Sequence, residues 1–337
     1  MLTNVDWLST LAPFVVLAAM VIMLRRAGRT PLWSEAFRRL RRNPLAMISL
    51  AVISLYAAVA VLDSISWRTS KTDDFRTLLQ RIAERPKERT YSAPYATVTT
   101  GEPEPHPLNE KHLLGTDGVG NDVVYLTLRG CRTALILGGL TSLIATPLAL
   151  MFGMLAGYFG KWADDAVLYI NQVLSSIPSI LLLVALMMVL GKGVLQLCIA
   201  LGVTSWVSLC RLSRGETLKH REREYVRAAR ALGLSHTRIL IRHILPNLLP
   251  LVIISVTLGL SGLVLAEAIL SYLQLGVPPE VGSWGNMING ARVELAREPV
   301  IWWGLASASG ALFVLVLAFN VFGDALRDAV DPRLRTG

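Results

Sequence analysis

Apolar runs of transmembrane length recur along this chain, at Leu8–Leu24, Leu45–Leu62, Ala134–Phe159, Val167–Leu190, Val194–Cys210, Leu248–Leu270 and Val300–Phe322. Crossing roughly 30 Å of hydrocarbon takes about 20 helical residues. In that medium each backbone amide needs a partner within its own segment, so helices are the elements that runs like these can form. The number and separation of the runs exclude one hydrophobic globule. With 53% hydrophobic and 17% charged residues, against about a quarter charged in soluble domains, the chain reads as an all-α, polytopic membrane helix bundle. Six core spans and an extra N-terminal span are expected.

The formal charge of +9 raises nucleic acid as a partner, and its location argues against it. Residues 25–42 hold seven arginines against Glu35, and residues 211–242 hold nine Lys or Arg against Glu216, Glu222 and Glu224. Each segment flanks apolar runs, as cytoplasmic loops do under the positive-inside rule, and neither interleaves base-stacking aromatics. Between Asp63 and Arg132 the ten acidic and ten basic residues balance. That neutral, proline-rich stretch is expected outside. Four of the runs separate the two basic segments, an even number that leaves both on one side.

The Leu8–Leu24 run has no basic residue before it and Arg25, Arg26 and Arg29 after it, the reverse of a cleavable signal. It reads as a short first span, with an in-plane segment as the alternative. Trp33, Phe37 and Leu40 share a helical face flanked by Arg38, Arg39, Arg41 and Arg42, which predicts a helix on the cytoplasmic membrane surface. Expected divisions are 1–44 for the first span and this helix, 45–62 for a span, and 63–133 for an extracytoplasmic insert. A core domain at 134–322 with a cytoplasmic loop at 211–247, and a cytoplasmic tail at 323–337, complete the chain.

The loop carries the most information. In Arg221–Asn247, Tyr225, Ala229 and Leu232 align at helical spacing, Ala228 and Ala231 keep the adjacent surface small, and Gly233 suits a left-handed helix terminus. Ser235 then suits the cap of a second helix. A short helix with small side chains fits a groove on another protein. The three cysteines, Cys131, Cys198 and Cys210, have no metal-ligand or disulfide spacing. His220, His236 and His243 form no metal or catalytic constellation, and no phosphate-cradling G-x-x-x-x-G-K-[ST] is present. Glu267 is ionisable inside an apolar run, which makes it a translocation-path candidate by default, though a structural hydrogen bond near the outer helix end is the commoner role. Pro178, midway along a run, marks a kink beside a path. Asp117 and Asp122 offer oxygen ligands, with capping of the following helix the more ordinary reading.

The stretch resembles the EAA loop of ABC importer permeases, E-A-A, three residues, Gly, nine residues, I-x-L-P. Ala228, Ala229, Gly233, Leu245 and Pro246 occupy the pattern; Arg227 stands for its Glu and His243 for its Ile. Tyr225, Val226, Arg242, His243 and Asn247 fit the variant of the dipeptide, oligopeptide and nickel subgroup. LGTDGVGND (Leu114–Asp122), LSYLQLGVPP, WGNM and LRDAVDPR are similar to further elements of that subgroup, with Asn121 for an Arg and Gln274 for a Gly. The resemblance covers about residues 36–335 and identifies a C-type permease of the pair. It implies that Glu224, Tyr225, Arg227, Ala228, Ala229, Gly233, His243, Leu245 and Pro246 couple to an ATPase subunit. It also implies that Gly115, Thr116, Asp117, Gly120 and Asp122 form an extracytoplasmic element. The implied partners are a second homologous permease, two ATP-binding subunits that carry ATP and Mg, an extracytoplasmic solute-binding protein and the bilayer of a bacterial inner membrane. The chain itself is expected to bind no cofactor, catalytic metal or nucleic acid.

Overall fold

A computed structural model describes residues 31–67 and 76–330, with side chains for 35–66 and 76–330. The Leu8–Leu24 run, the Trp33 side chain and the last residues of the tail lie outside these. The regular structure of the described residues is helical apart from a two-residue antiparallel pair, with Ser66 opposite Thr77 and Trp67 opposite Arg76, and two isolated bridges, Val98–Pro107 and Thr116–Asp122. Five helices are long and apolar enough to cross a membrane, or six when a bent pair is counted as one span.

Helix α1 (Pro31–Arg42) is followed at once by α2 (Pro44–Leu62), whose start is set by Asn43. The Asn43 side chain accepts from the Leu45 and Ala46 amides, and Pro44 takes the first helical position, where its missing N–H costs nothing. On α1 the buried face is Ala36 and Leu40, packed on Leu326 and Val330 at the far end of the chain, while Phe37 is exposed. The helix expected from the aromatic spacing is present, and the small Ala36 lets it pack closely on the end of the last helix, near Val330, while Phe37 stays on the exposed side.

Past α2 and the strands β1 (Ser66–Trp67) and β2 (Arg76–Thr77), the short α3 (Leu78–Ala83) begins with a reciprocal Thr77–Gln80 capping box. An irregular stretch then leads to α4 (Val123–Phe159). This helix starts well before the apolar run at Ala134, because Asp122 caps it by accepting from the Tyr125 amide. At 37 residues it extends about 55 Å, enough to cross the hydrocarbon and project beyond it.

The Val167–Leu190 run is not one straight span. Helices α5 (Lys161–Ser176) and α6 (Ser179–Leu190) meet at 88°, since Pro178 lacks an amide donor and its ring disfavours a helical residue before it. The pair still crosses: α5 begins beside the inner end of α4, and past α6 the Gly193 amide donates to the Gly276 carbonyl at the outer end of the bundle, 3.3 Å away. Counting it as one span keeps four crossings between the basic segments.

Helix α7 (Val194–Arg221) outlasts its apolar run and ends in Lys219, His220 and Arg221, cations that suit a helix C-terminus. The loop helices α8 (Glu224–Ala231) and α9 (His236–Ile239) lead through a wide π turn, Leu240–Ile244, into the span α10 (Leu245–Tyr272). On the outer side α11 (Trp284–Glu294) precedes the last span, α12 (Trp303–Val330), which carries helix into residues expected as tail.

Two seams fix the bundle. Along α4 and α7, Gly153 and Gly157 let the backbones meet; a Cβ on either would collide with Ser213 or Thr217, and Ser213 Oγ donates to the Ala149 carbonyl at 3.1 Å. Without a hydrophobic drive between helices in lipid, such small-residue approach supplies the packing. Nearer the outer face, Trp284 is buried against Gly130, donates to the Thr127 carbonyl at 2.9 Å, and meets Tyr56 of α2 edge-on at 5.9 Å. Replacing Gly153 by Leu should destabilise the bundle by about 1–3 kcal/mol through overpacking, read as an earlier loss of monodispersity on heating the detergent-purified protein. Gly259→Leu, where a Cβ meets nothing within 4 Å, should change it little.

Candidate functional site

The loop after α7 is built from a two-helix hairpin whose inner face is apolar. Val226 and Ala229 of α8 pack with Leu234, with Ile239 of α9, and with Leu240, Ile244 and Leu248 at the base of α10. Helix α8 terminates as its sequence predicts: Gly233 has φ +77°, its amide donates to the Arg230 carbonyl at 3.0 Å, and the Leu234 amide donates to the Ala229 carbonyl at 3.2 Å. That bonding, with Leu234 packed back on the helix, is the paired closure of a glycine-terminated helix. Ser235 occupies the cap position of α9 without a side-chain capping bond.

Outward face the residues that the interior does not use. Ala228, Ala231, Arg227 and Tyr225 are exposed, and Leu232 is 81% exposed. The expected face of Tyr225, Ala229 and Leu232 is thus divided: Ala229 holds α8 to the bundle, and the other two point away from it. The result is a low, partly apolar surface rimmed by Arg223, Arg227, Arg230, Arg238 and Arg242, all exposed. Arg227 and Arg221 donate to Glu222 at 3.1 and 3.0 Å and hold its carboxyl below its ordinary range. Tyr225 and His220 share a 2.8 Å hydrogen bond across the turn from α7, and partial burial raises the phenol's pKa.

The π turn has a cause in the sequence. Pro246 cannot donate to the carbonyl four residues back, and its ring crowds that carbonyl; widening the turn removes the clash, and the Leu245 amide reaches back to Leu240. Asn247 Nδ2 takes the His243 carbonyl at 2.6 Å and approaches Tyr225 Oη at 3.4 Å. Asn247 thereby links Tyr225, 22 residues before it, to the His243 carbonyl. Such local widenings occur frequently at functional sites.

The Gly115–Asp122 element expected outside the membrane lies at the other end of α4. Gly115 and Gly120 have φ of +71° and +80° and pass close to the Ser92 and Glu88 carbonyls, where no side chain fits. Thr116 Oγ1 donates to the Thr90 carbonyl at 2.8 Å, and the Thr116 carbonyl accepts from Trp303 Nε1 at 2.9 Å. Asp117 accepts from the amides of Val119 and Asn121 and from Asn121 Nδ2; the residue in place of the subgroup's Arg fixes the turn. Asp122 both caps α4 and pairs with His112 Nδ1 at 2.7 Å. His112 is wholly buried, its other nitrogen 3.5 Å from Glu88. Glu88 and His112 escaped notice in the sequence because charged residues in a loop ordinarily face water.

Glu267 is 1% exposed and accepts from Ser271 Oγ at 2.8 Å and Ser283 Oγ at 2.6 Å. The Ser283 bond ties α10 to the cap of α11, and the Ser271 bond lies within α10. Pro178 marks the α5–α6 bend on an exposed side of the bundle.

Six crossings, close glycine-lined helix seams and a hairpin loop presented at the basic face define a membrane-embedded transport subunit. Residues 149–336 match the family described as binding-protein-dependent transport system inner membrane component, and residues 31–80 match the N-terminal TM domain of oligopeptide transport permease C. The chain belongs to this family: it is a multi-pass permease subunit of an ABC importer. It is 32% identical over 304 residues to the oligopeptide transport system permease protein OppC of Bacillus subtilis, covering 90% of each chain. It is 31% identical over 321 residues to the glutathione transport system permease protein GsiD of Pectobacterium atrosepticum, covering 95% and 97%. An inward-facing structure of the MetNI methionine ABC transporter shares the fold at TM-score 0.50 and 22% identity, over 62% of this chain and 98% of that one.

Asp122→Ala removes a helix cap and strands buried His112, so a loss of about 1–3 kcal/mol in the extracytoplasmic region is expected. Faster tryptic cleavage between Arg85 and Lys111 in right-side-out vesicles would register it.

Proposed function

We propose that this permease carries di- and oligopeptides across the bacterial plasma membrane as one of two paired permease subunits. An extracytoplasmic solute-binding protein delivers the solute, and two ATP-binding subunits drive the cycle by seating on the loop of residues 224–246. The observation that carries the reading is the outward surface of α8. Small Ala228 and Ala231 beside projecting Leu232 and Tyr225 give a ridge low enough to enter a cleft, and Gly233 ends it sharply. The inner residues Val226 and Ala229 couple that ridge to the base of α10. Arg227, Glu224 and His243 supply polar groups at its margins, and Leu245 with Pro246 sets the π turn that joins the loop to a span. The peptide reading draws on the relatives, which include oligopeptide, dipeptide and glutathione permeases.

Access switches when ATP and loaded receptor favour the outward-facing state over the inward-facing one, and the shift equals the difference in their affinities for the two. Nucleotide and Mg are handled by the partner subunits. Thr116, Asp117 and the Gly115 and Gly120 turns shape the outer face toward the receptor, and Pro178 sits where the α5–α6 bend opens the bundle beside the path.

Deleting Ala228–Gly233 should leave the permease in the membrane and abolish both co-purification of the ATPase subunits and uptake. ATPase subunits still bound after that deletion would reject the docking assignment. Uptake of labelled peptides of two to five residues, with glutathione and nickel in parallel, should depend on this chain for the peptides; a response to nickel alone would reject the substrate class.

A further inference from the structure

The loop is held to the membrane domain at a residue that no motif marks. Tyr158, the penultimate residue of α4, is 4% exposed and receives groups from three other helices. Its hydroxyl shares a 2.8 Å hydrogen bond with His236 Nδ1 of α9, and the two rings meet edge-on at 5.5 Å. The Arg230 guanidinium of α8 lies over its ring, 5.5 Å from the centroid. Arg221, closing α7, donates to the Gly157 and Tyr158 carbonyls at 3.5 and 3.4 Å, occupying acceptors that a helix end leaves open.

The hairpin has further attachments: Tyr225 bonds His220 and Asn247, and His236 meets Phe159 edge-on at 5.7 Å. Helix α8 buries Val226 and Ala229, and the short α9 buries Ile239 without a side-chain cap. These side chains and Tyr158 belong to one apolar cluster. Helix α4, in contrast, is continuous through the membrane, locked to α7 by the Gly153 and Gly157 seam, and joined at its outer end to the Asp122–His112 pair.

We propose that Tyr158 is the positioning residue through which displacement of α8 and α9 is delivered to α4. Hairpin and long helix then move as one body. The inference rests on the ATPase-docking reading of the loop and adds a route from it: the inner end of α4 as well as the base of α10. The hydroxyl–imidazole bond sets the angle of α9 against the helix end, and the ring under Arg230 sets the height of α8.

The test uses the complete importer in proteoliposomes, with a labelled tripeptide as probe, and measures uptake per ATP hydrolysed. Y158F removes only the hydroxyl, and H236F removes its partner while keeping a ring. Each should lower the ratio about threefold, the scale of one lost hydrogen bond, with ATPase subunits co-purifying at the unmodified level. Because both remove the same bond, the double variant should be no worse than either single. H236N, whose amide keeps a polar partner near Nδ1, should stay closer to the unmodified ratio than H236F. Y158L, which also removes the ring, should lower it further. An unchanged ratio in Y158F with ATPase subunits bound would overturn the link alone, as would losses that multiply in the double variant. Loss of ATPase subunits in step with the ratio in Y158F would make Tyr158 a support of the docking surface and also overturn it. Failure of the docking reading has its own signature, retained ATPase subunits after deletion of Ala228–Gly233.

Discussion

The close approach of α4 and α7 governs much of what surrounds it. In hydrocarbon two helices gain little by burying apolar side chains from lipid, so association depends on backbone proximity and well-matched surfaces. Gly153 and Gly157 provide the proximity at the inner half of the seam, against Ser213 and Thr217, and Gly202 with Ile144 continues it toward the outer half. Because α7 ends directly in the loop, the seam also sets where the loop begins. A wider spacing would carry Arg221 away from the α4 carbonyls and Val226 away from the cluster beneath it.

A second constraint is the proline pattern, which acts differently by position. Pro44 sits at the start of a span and costs no helical hydrogen bond there, whereas Pro246 lies in continuous helix, forgoes one and widens the preceding turn. Pro147 lies within α4 without ending it, whereas Pro178 follows a residue in extended conformation and breaks its span by 88°. The local rule is the same in each case. What differs is whether neighbouring helices hold the chain straight: α4 is flanked by α2, α7, α10 and α12, and α6 rests mainly on α7.

Of the candidate site, the helix, its glycine stop and the restart were legible, because each depends on residues within one turn of one another. Which side of α8 faces inward was not. Tyr225 and Leu232 have the character of core residues and stand exposed, while Ala229 and Val226 fill the narrow space over α10. Glu267 was legible as unusual; its quiet role became visible only with Ser283, sixteen positions away, on its carboxylate. His112 and Tyr158 carried no local signal, since each is defined by partners from distant parts of the chain.

The sequence by itself determined that this chain is a multi-span membrane bundle, and that one basic loop has the residue spacing of the permease family's EAA loop. Both follow from short-range facts: the length of apolar runs against the thickness of hydrocarbon, the segments in which charge accumulates, and turn residues that need a particular φ. Tertiary structure alone decided how sharply the fourth run bends at Pro178, that α4 reaches from the Gly115–Asp122 turn to the loop, and that Asp122 and Tyr158 stand at its two ends with buried partners. Those depend on which helices touch, and in lipid that choice rests on the fit of small surfaces, a property that hydropathy along one chain does not express.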